Sequence, residues 1–222
     1  MAEVLLDDVA AEPEVHHERD EDRELHAPAE VVHRASIRTT PARIRSSRVA
    51  DPSVFDTLSL EELEEASGEL HRRIGAALRF IGEPRADEWD ADGLSPRRRV
   101  AGYVALLELA SQTIGAITAG IASPSARIDE HPAIVAAVMY ATPTIPGLLA
   151  RLEQDRRQLA SLARGRDTML DLEAATAWGV VPTRRVIVEA EIAEAARCAM
   201  ALERTLALLD EAERNASPPS LF

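Results

Sequence analysis

From Val100 to Ala122 the chain runs for 23 residues with a single charged side chain, Glu108. A segment this apolar either crosses a bilayer or is enclosed by the rest of its own chain. Ser111, Gln112, Thr113 and Thr118 lie inside the run, and Gly and Ala make up much of the remainder, so its transfer into hydrocarbon is poor. The run is therefore expected to be a central helix buried on most sides, and a membrane is not an expected partner.

What can enclose such a helix follows from the composition. The chain is 46% hydrophobic but has only seven aromatic residues among 222, so its core must be built from Leu, Ile, Val and Ala. No strand-like alternation of useful length appears, whereas helical spacing recurs. Ser59 and Glu62 have capping-box spacing, and Leu60, Leu63, Leu70, Ile74, Ala77 and Ile81 follow on one helical face. Gly82 and Pro84 stop that helix. Ser95 and Pro96 supply an N-cap and first-turn pair that launches the apolar helix, which runs to about Ala122. Prolines at 124, 132, 143 and 146 then divide the chain into a short helix near Ala133 to Tyr140 and a longer one from about Pro146 to Arg164, closed by Gly165. Asp167 is read as the cap of a short segment to Trp178. Gly179 interrupts it, and Pro182 opens a final long helix.

The final helix has the most regular pattern. Val188, Ile192, Ala195, Ala199, Leu202, Leu206 and Leu209 follow alternating steps of four and three, the spacing of a coiled-coil seam. These seven residues are the expected protein interface, and the small alanines would let a neighbouring helix approach closely. The expected fold is all-α, a bundle of about five or six helices over residues 51–215, with a short C-terminal tail at 216–222.

The first 50 residues differ from the rest. Met1 to His33 holds eleven acids against Arg19 and Arg23, with apolar residues too scattered to form a stripe, and is expected to be disordered. Between Arg34 and Ala50 the sign reverses. Arg34, Arg38, Arg43, Arg45 and Arg48 stand there with no acid among them. The two blocks either pair loosely with each other or serve as a tail that touches a partner.

All 25 basic residues are arginine. With no lysine there is no Walker-type phosphate loop, Schiff-base lysine, kinase ATP lysine or Ser-Lys dyad. A net charge of −13 opposes a surface that binds nucleic acid throughout. Cys198, the single cysteine, allows no internal disulfide, and the acidic start lacks the basic-then-apolar order of a signal peptide, so a cytoplasmic location is expected.

Candidate motifs are weak. Glu88, Asp90, Asp92 and Gly93 match the first positions of a calcium loop, but the twelfth position, which should supply a bidentate glutamate, is Arg99. Ala175 and Gly179 have helix-turn-helix spacing, with Thr183, Arg184 and Arg185 opening the would-be recognition helix; Arg185 stands where an apolar residue belongs, and Glu189, Glu191 and Glu194 would face phosphate. The arginines between Arg151 and Arg166 are similar to those of all-helical, chorismate-mutase-type sites, which also use a lysine. Glu30 and His33 have di-iron spacing but lie in the tail, as do His16 and His17. His71 and Cys198 read as helix-face residues rather than a base and a nucleophile.

No cofactor, metal or catalytic set is expected. The expected function is a non-enzymatic scaffold or adaptor, such as an assembly or accessory protein, that self-associates or binds a protein partner. A DNA-binding regulator using Arg34, Arg38, Arg43, Arg45 and Arg48 with Thr183, Arg184 and Arg185 is the alternative, and a small all-helical enzyme is a further one.

Overall fold

A computed structural model describes residues 55, 57–90, 92–165 and 167–216. The acidic block and the Arg34 to Arg48 arm, with the disorder expected of them, lie outside the described residues, as does most of the short C-terminal tail.

The described chain is all-α apart from one hairpin. Helix α1 (Leu60–Ile81) begins with the expected capping box: Ser59 Oγ accepts from the Glu62 N–H, and the Glu62 carboxylate accepts from the Ser59 N–H. It ends at Gly82, whose φ of 75° suits a residue without a Cβ. Helix α2 (Pro96–Ala119) is capped by Ser95 and closed by a left-handed Gly120. Helix α3 (Pro132–Ala141) follows a single 3-10 turn at Ile128–Glu130, and α4 (Ile145–Arg164) starts from the Thr144 cap.

Helix α2 is the axis of the bundle. Among the described residues it is long and apolar enough to cross a membrane, yet 78% of its most apolar window is buried inside this chain. Helices α3 and α4 pack on it, and both α1 and the C-terminal helix complete the sheath. One buried guanidinium holds three chain segments together at its base. Arg97 donates to Asp87 (2.9 Å), to the Pro143 carbonyl (2.6 Å) and to Glu83 (2.6 Å), while the other oxygen of Glu83 accepts from the Ile145 N–H (2.6 Å).

The segment after α4 departs from the expected short helical stretch. A 3-10 turn at Asp167–Met169 leads into an antiparallel hairpin of β1 (Glu173–Thr176) and β2 (Gly179–Pro182), in register Thr176 to Gly179 and Glu173 to Pro182. Its two-residue loop is closed by Thr176, whose hydroxyl accepts from the Trp178 N–H and donates to the Gly179 carbonyl, and Gly179 takes a φ of 96°. Four-residue strands are too short to display alternation, and Glu173-Ala-Ala has helix-favouring composition. The glycine read as a helix interruption is instead the turn residue.

The final helix is continuous over residues 183–216 but changes pitch. Helix α5 (Thr183–Val188) widens into a π-helical turn at Glu189–Glu194 before α6 (Ala195–Ala216). It runs parallel to α1: Leu63 packs with Val188 and Ile192, Arg73 pairs with Glu203 through two 2.8 Å bonds, and Arg85 pairs with Glu213.

The heptad seam therefore lies inside the molecule. Val188, Ile192, Ala195, Ala199 and Leu202 are buried within this chain, and Leu206 and Leu209 are half-buried against the same core. Side chains enclosed by their own chain do not face a second one, which corrects the expectation that this seam is an interface. Replacing Leu202 with Ala is expected to cost about 3 kcal/mol in urea unfolding without changing the native mass by light scattering, whereas Leu208→Ala, at an exposed position, should stay within about 0.5 kcal/mol of the parent.

Candidate functional site

Burial of polar groups is the first place to look for function, because each such group must find a partner. Four converge between α1, α2 and the π turn. Ser67 and His71 sit one turn apart on the inward face of α1, Tyr103 comes from α2, and Glu191 comes from the π turn; all four side chains are buried. Burial pushes His71 down to about 4, so the ring is neutral and carries one N–H. The geometry assigns that hydrogen to Nδ1, which donates to the Ser67 carbonyl (2.8 Å), leaving Nε2 to accept from the Tyr103 hydroxyl (3.1 Å). Ser67 Oγ donates to Glu191 Oε2. The other carboxylate oxygen of Glu191 is buried without a hydrogen-bond partner, and burial pushes this acid up to about 7 against the opposing pull of Ser67 and Arg156. Tyr103 is driven well above its ordinary range, chiefly by burial.

Two open spaces flank this chain of groups. A groove of about 440 Å³ between α1 and α4 is bordered by Gly68, His71, Gly75 and Arg156. A cleft of about 530 Å³ lies on the other side, where Tyr103 meets α3 and α6. His71 and Tyr103 thus bridge two solvent-facing depressions through the core. Sequence reading missed this cluster because Ser67 and Glu191 are 124 residues apart. The available signal was the intrusion of Ser67 and His71 into the apolar stripe of α1, and of Glu191 beside Ile192.

Of the residues singled out for nucleic acid, the three described ones, Thr183, Arg184 and Arg185, are engaged internally. Thr183 is buried, with its hydroxyl donating to the Leu172 carbonyl; Arg184 donates to the Leu58 carbonyl (2.6 Å); Arg185 lies 3.8 Å from Glu189. Ala175 and Gly179 stand on the hairpin, so no helix-turn-helix is formed there. Along α4, Arg151 is held by Glu108 and Asp155, Arg156 and Arg157 by Glu153, and Arg164 by Glu64. In the loop with calcium-type spacing, the Arg99 guanidinium itself sits 2.6 Å from Asp90 and 3.2 Å from Asp92. Among the described residues no cluster of His, Cys, Asp and Glu is arranged to hold a metal ion. Burial pushes the Cys198 thiol up to about 12, far from a thiolate.

The surface carries a different kind of signal. Helix α3 has no charged residue, and none occurs between Glu130 and Arg151. Such a helix is expected in a core, yet Val135 is its only fully buried residue. Tyr140 is 90% exposed and Ile134 39%, and with Ile121 and Ile128 they place between residues 121 and 140 four of the nine large exposed apolar side chains among the described residues. No known protein family, curated protein or solved structure matches this chain.

The buried acid and imidazole make opposite contributions to stability. Glu191, raised from 4.5 to about 7, favours the fold fully below pH 4.5 and loses about 3 kcal/mol as pH rises to 7; His71, lowered from 6.5 to about 4, favours it fully above 6.5 and loses about 3 kcal/mol as pH falls to 4. Between pH 4.5 and 6.5 the two slopes cancel. Urea titrations should show Glu191→Gln gaining stability with rising pH in that window and His71→Gln losing it, while the parent stays flat with respect to this pair.

Proposed function

We propose that this chain is a non-enzymatic helical adaptor that acts by protein–protein contact, with the outer face of α3 as the contact and a second copy of the chain as its occupant. The observation that carries this reading is the exposure of a wholly uncharged helix. The apolar stripes of α1, α2 and α4 are largely enclosed, whereas most of α3 lies outside, and apolar surface gathered at the exterior is characteristic of interaction sites.

Charge favours a second copy. A molecule of net −13 repels itself over most of its surface, and an uncharged strip is where two copies approach without that cost. An apolar face is also self-complementary under a twofold axis, since it needs no opposite sign across the interface. Ala133, Ala136, Ala137 and Ala141 keep the exposed side of α3 low, so two such helices can pack closely around Tyr140 and Ile134. The five arginines from Arg34 to Arg48 are a second, separate contact in this proposal.

Sedimentation equilibrium should give a dimer of 24.1 kDa chains at micromolar concentration. Ile134→Glu with Tyr140→Glu should weaken association by at least about 100-fold, because two carboxylates would be enclosed without partners, and should leave the helical spectrum unchanged. A parent chain that stays monomeric at about 100 μM, where even a weak Kd would show, overturns the proposal.

A further inference from the structure

We propose that the cleft between α2, α3 and α6 is a binding site for a small organic monocarboxylate with an apolar body, held by Arg98. The first turn of α2 carries three consecutive arginines, Arg97, Arg98 and Arg99, which the helix fans out by about 100° each. Arg97 turns into the base of the bundle and Arg99 turns to Asp90 and Asp92. Arg98 lies between them, half-buried in the cleft wall, with no ion pair or side-chain hydrogen bond to any described residue.

The other charges of the cleft satisfy one another. Arg127 grips Asp129 through two 2.8 Å bonds and lies 3.2 Å from Glu130, while Arg197 is bound to Glu194. What remains is the Arg98 guanidinium and the Arg99 Nε–H, which is buried, lacks a partner and belongs to a residue lining the same cleft. Arg99 has its acids in Asp90 and Asp92, just outside the lining, so Arg98 is the one guanidinium of the cleft with no acid partner among the described residues. A single excess charge suits a monoanion better than a dianion. The planar fork of Arg98 matches a carboxylate bidentately, and the partial burial of both groups strengthens that bond relative to water.

The rest of the lining sets the body of the ligand. Leu94, Leu106 and Val135 form an apolar wall, and Gly102 presents backbone where a side chain would begin to fill the space before Val135. A volume of about 530 Å³ falls within the range of small-molecule sites, and apolar walls with a few fixed polar groups are their usual composition. The site is separate from the outer face of α3, because Ile134 and Tyr140 do not line it.

The test titrates the full chain with sodium benzoate, phenyl phosphate and benzyl alcohol, observing arginine Nε–H resonances by NMR. Benzoate should shift the Arg98 and Arg99 signals saturably, phenyl phosphate should bind more weakly at pH 8, and benzyl alcohol should leave them in place. Arg98→Ala should weaken benzoate at least tenfold while keeping the parent's melting temperature, since Arg98 contributes no side-chain bond to the fold. Arg72→Ala, on the exposed side of α1, should bind as the parent does. Equal binding of benzyl alcohol, undiminished benzoate binding by Arg98→Ala, or no saturable shift up to about 20 mM, the weak limit for a small ligand, would each overturn the assignment.

Discussion

The architecture depends on keeping water away from α2. A helix of 24 residues with buried side chains around most of its circumference needs neighbours on all of those sides, and the other helices are arranged to supply them. Burial on that scale is non-directional and does not by itself fix which helix stands where. Direction comes from a small number of polar clamps. Arg97 binds the chain after α1 and the chain before α4 at the point where α2 begins, and Glu83 completes the junction by capping the backbone of Ile145. The apolar axis provides the driving force and the clamp provides the orientation.

Much of this was legible in the sequence because it was local. Ser59 with Glu62, Ser95 with Pro96, and Gly165 mark helix ends through contacts between residues three or four apart, and each is found where the spacing places it. The hairpin was illegible for the opposite reason: its strands are held by Thr176 and a left-handed Gly179, with too few residues to develop a period. The heptad seam was read correctly as a packing surface and assigned the wrong partner, because periodicity shows that a face is buried and not which chain buries it. The partner is α1, whose own stripe appears 130 residues earlier at the Arg73 to Glu203 pair.

The candidate sites fall outside local reasoning altogether. Glu191, which accepts from Ser67, lies in the widened turn at Glu189–Glu194; a π turn inserts an extra residue into the helix and shifts the side chains around it, and such turns are frequent at functional sites. The apolar character of α3 was visible in the absence of charge between Glu130 and Arg151, but its exposure was not, since the same composition describes a core helix. The cleft is assembled from α2, the turn at Ile128–Glu130, α3 and α6, and the significance of Arg98 appears only once its two neighbours have been seen to turn elsewhere.

Parallel packing of the first and last helices has a consequence for how the molecule is made. Two parallel neighbours cannot be joined by a short turn, and here the whole of α2, α3, α4 and the hairpin forms the connection. On a ribosome, α1 emerges long before the helix that covers it, and α2 must remain partly uncovered until residues near Leu202 have been synthesised. The bundle is helical in content but carries the long-range closure usually associated with β-rich topologies, and such closure slows folding. Until the last helix is in place, the part of the apolar core that it covers has no cover from its own chain.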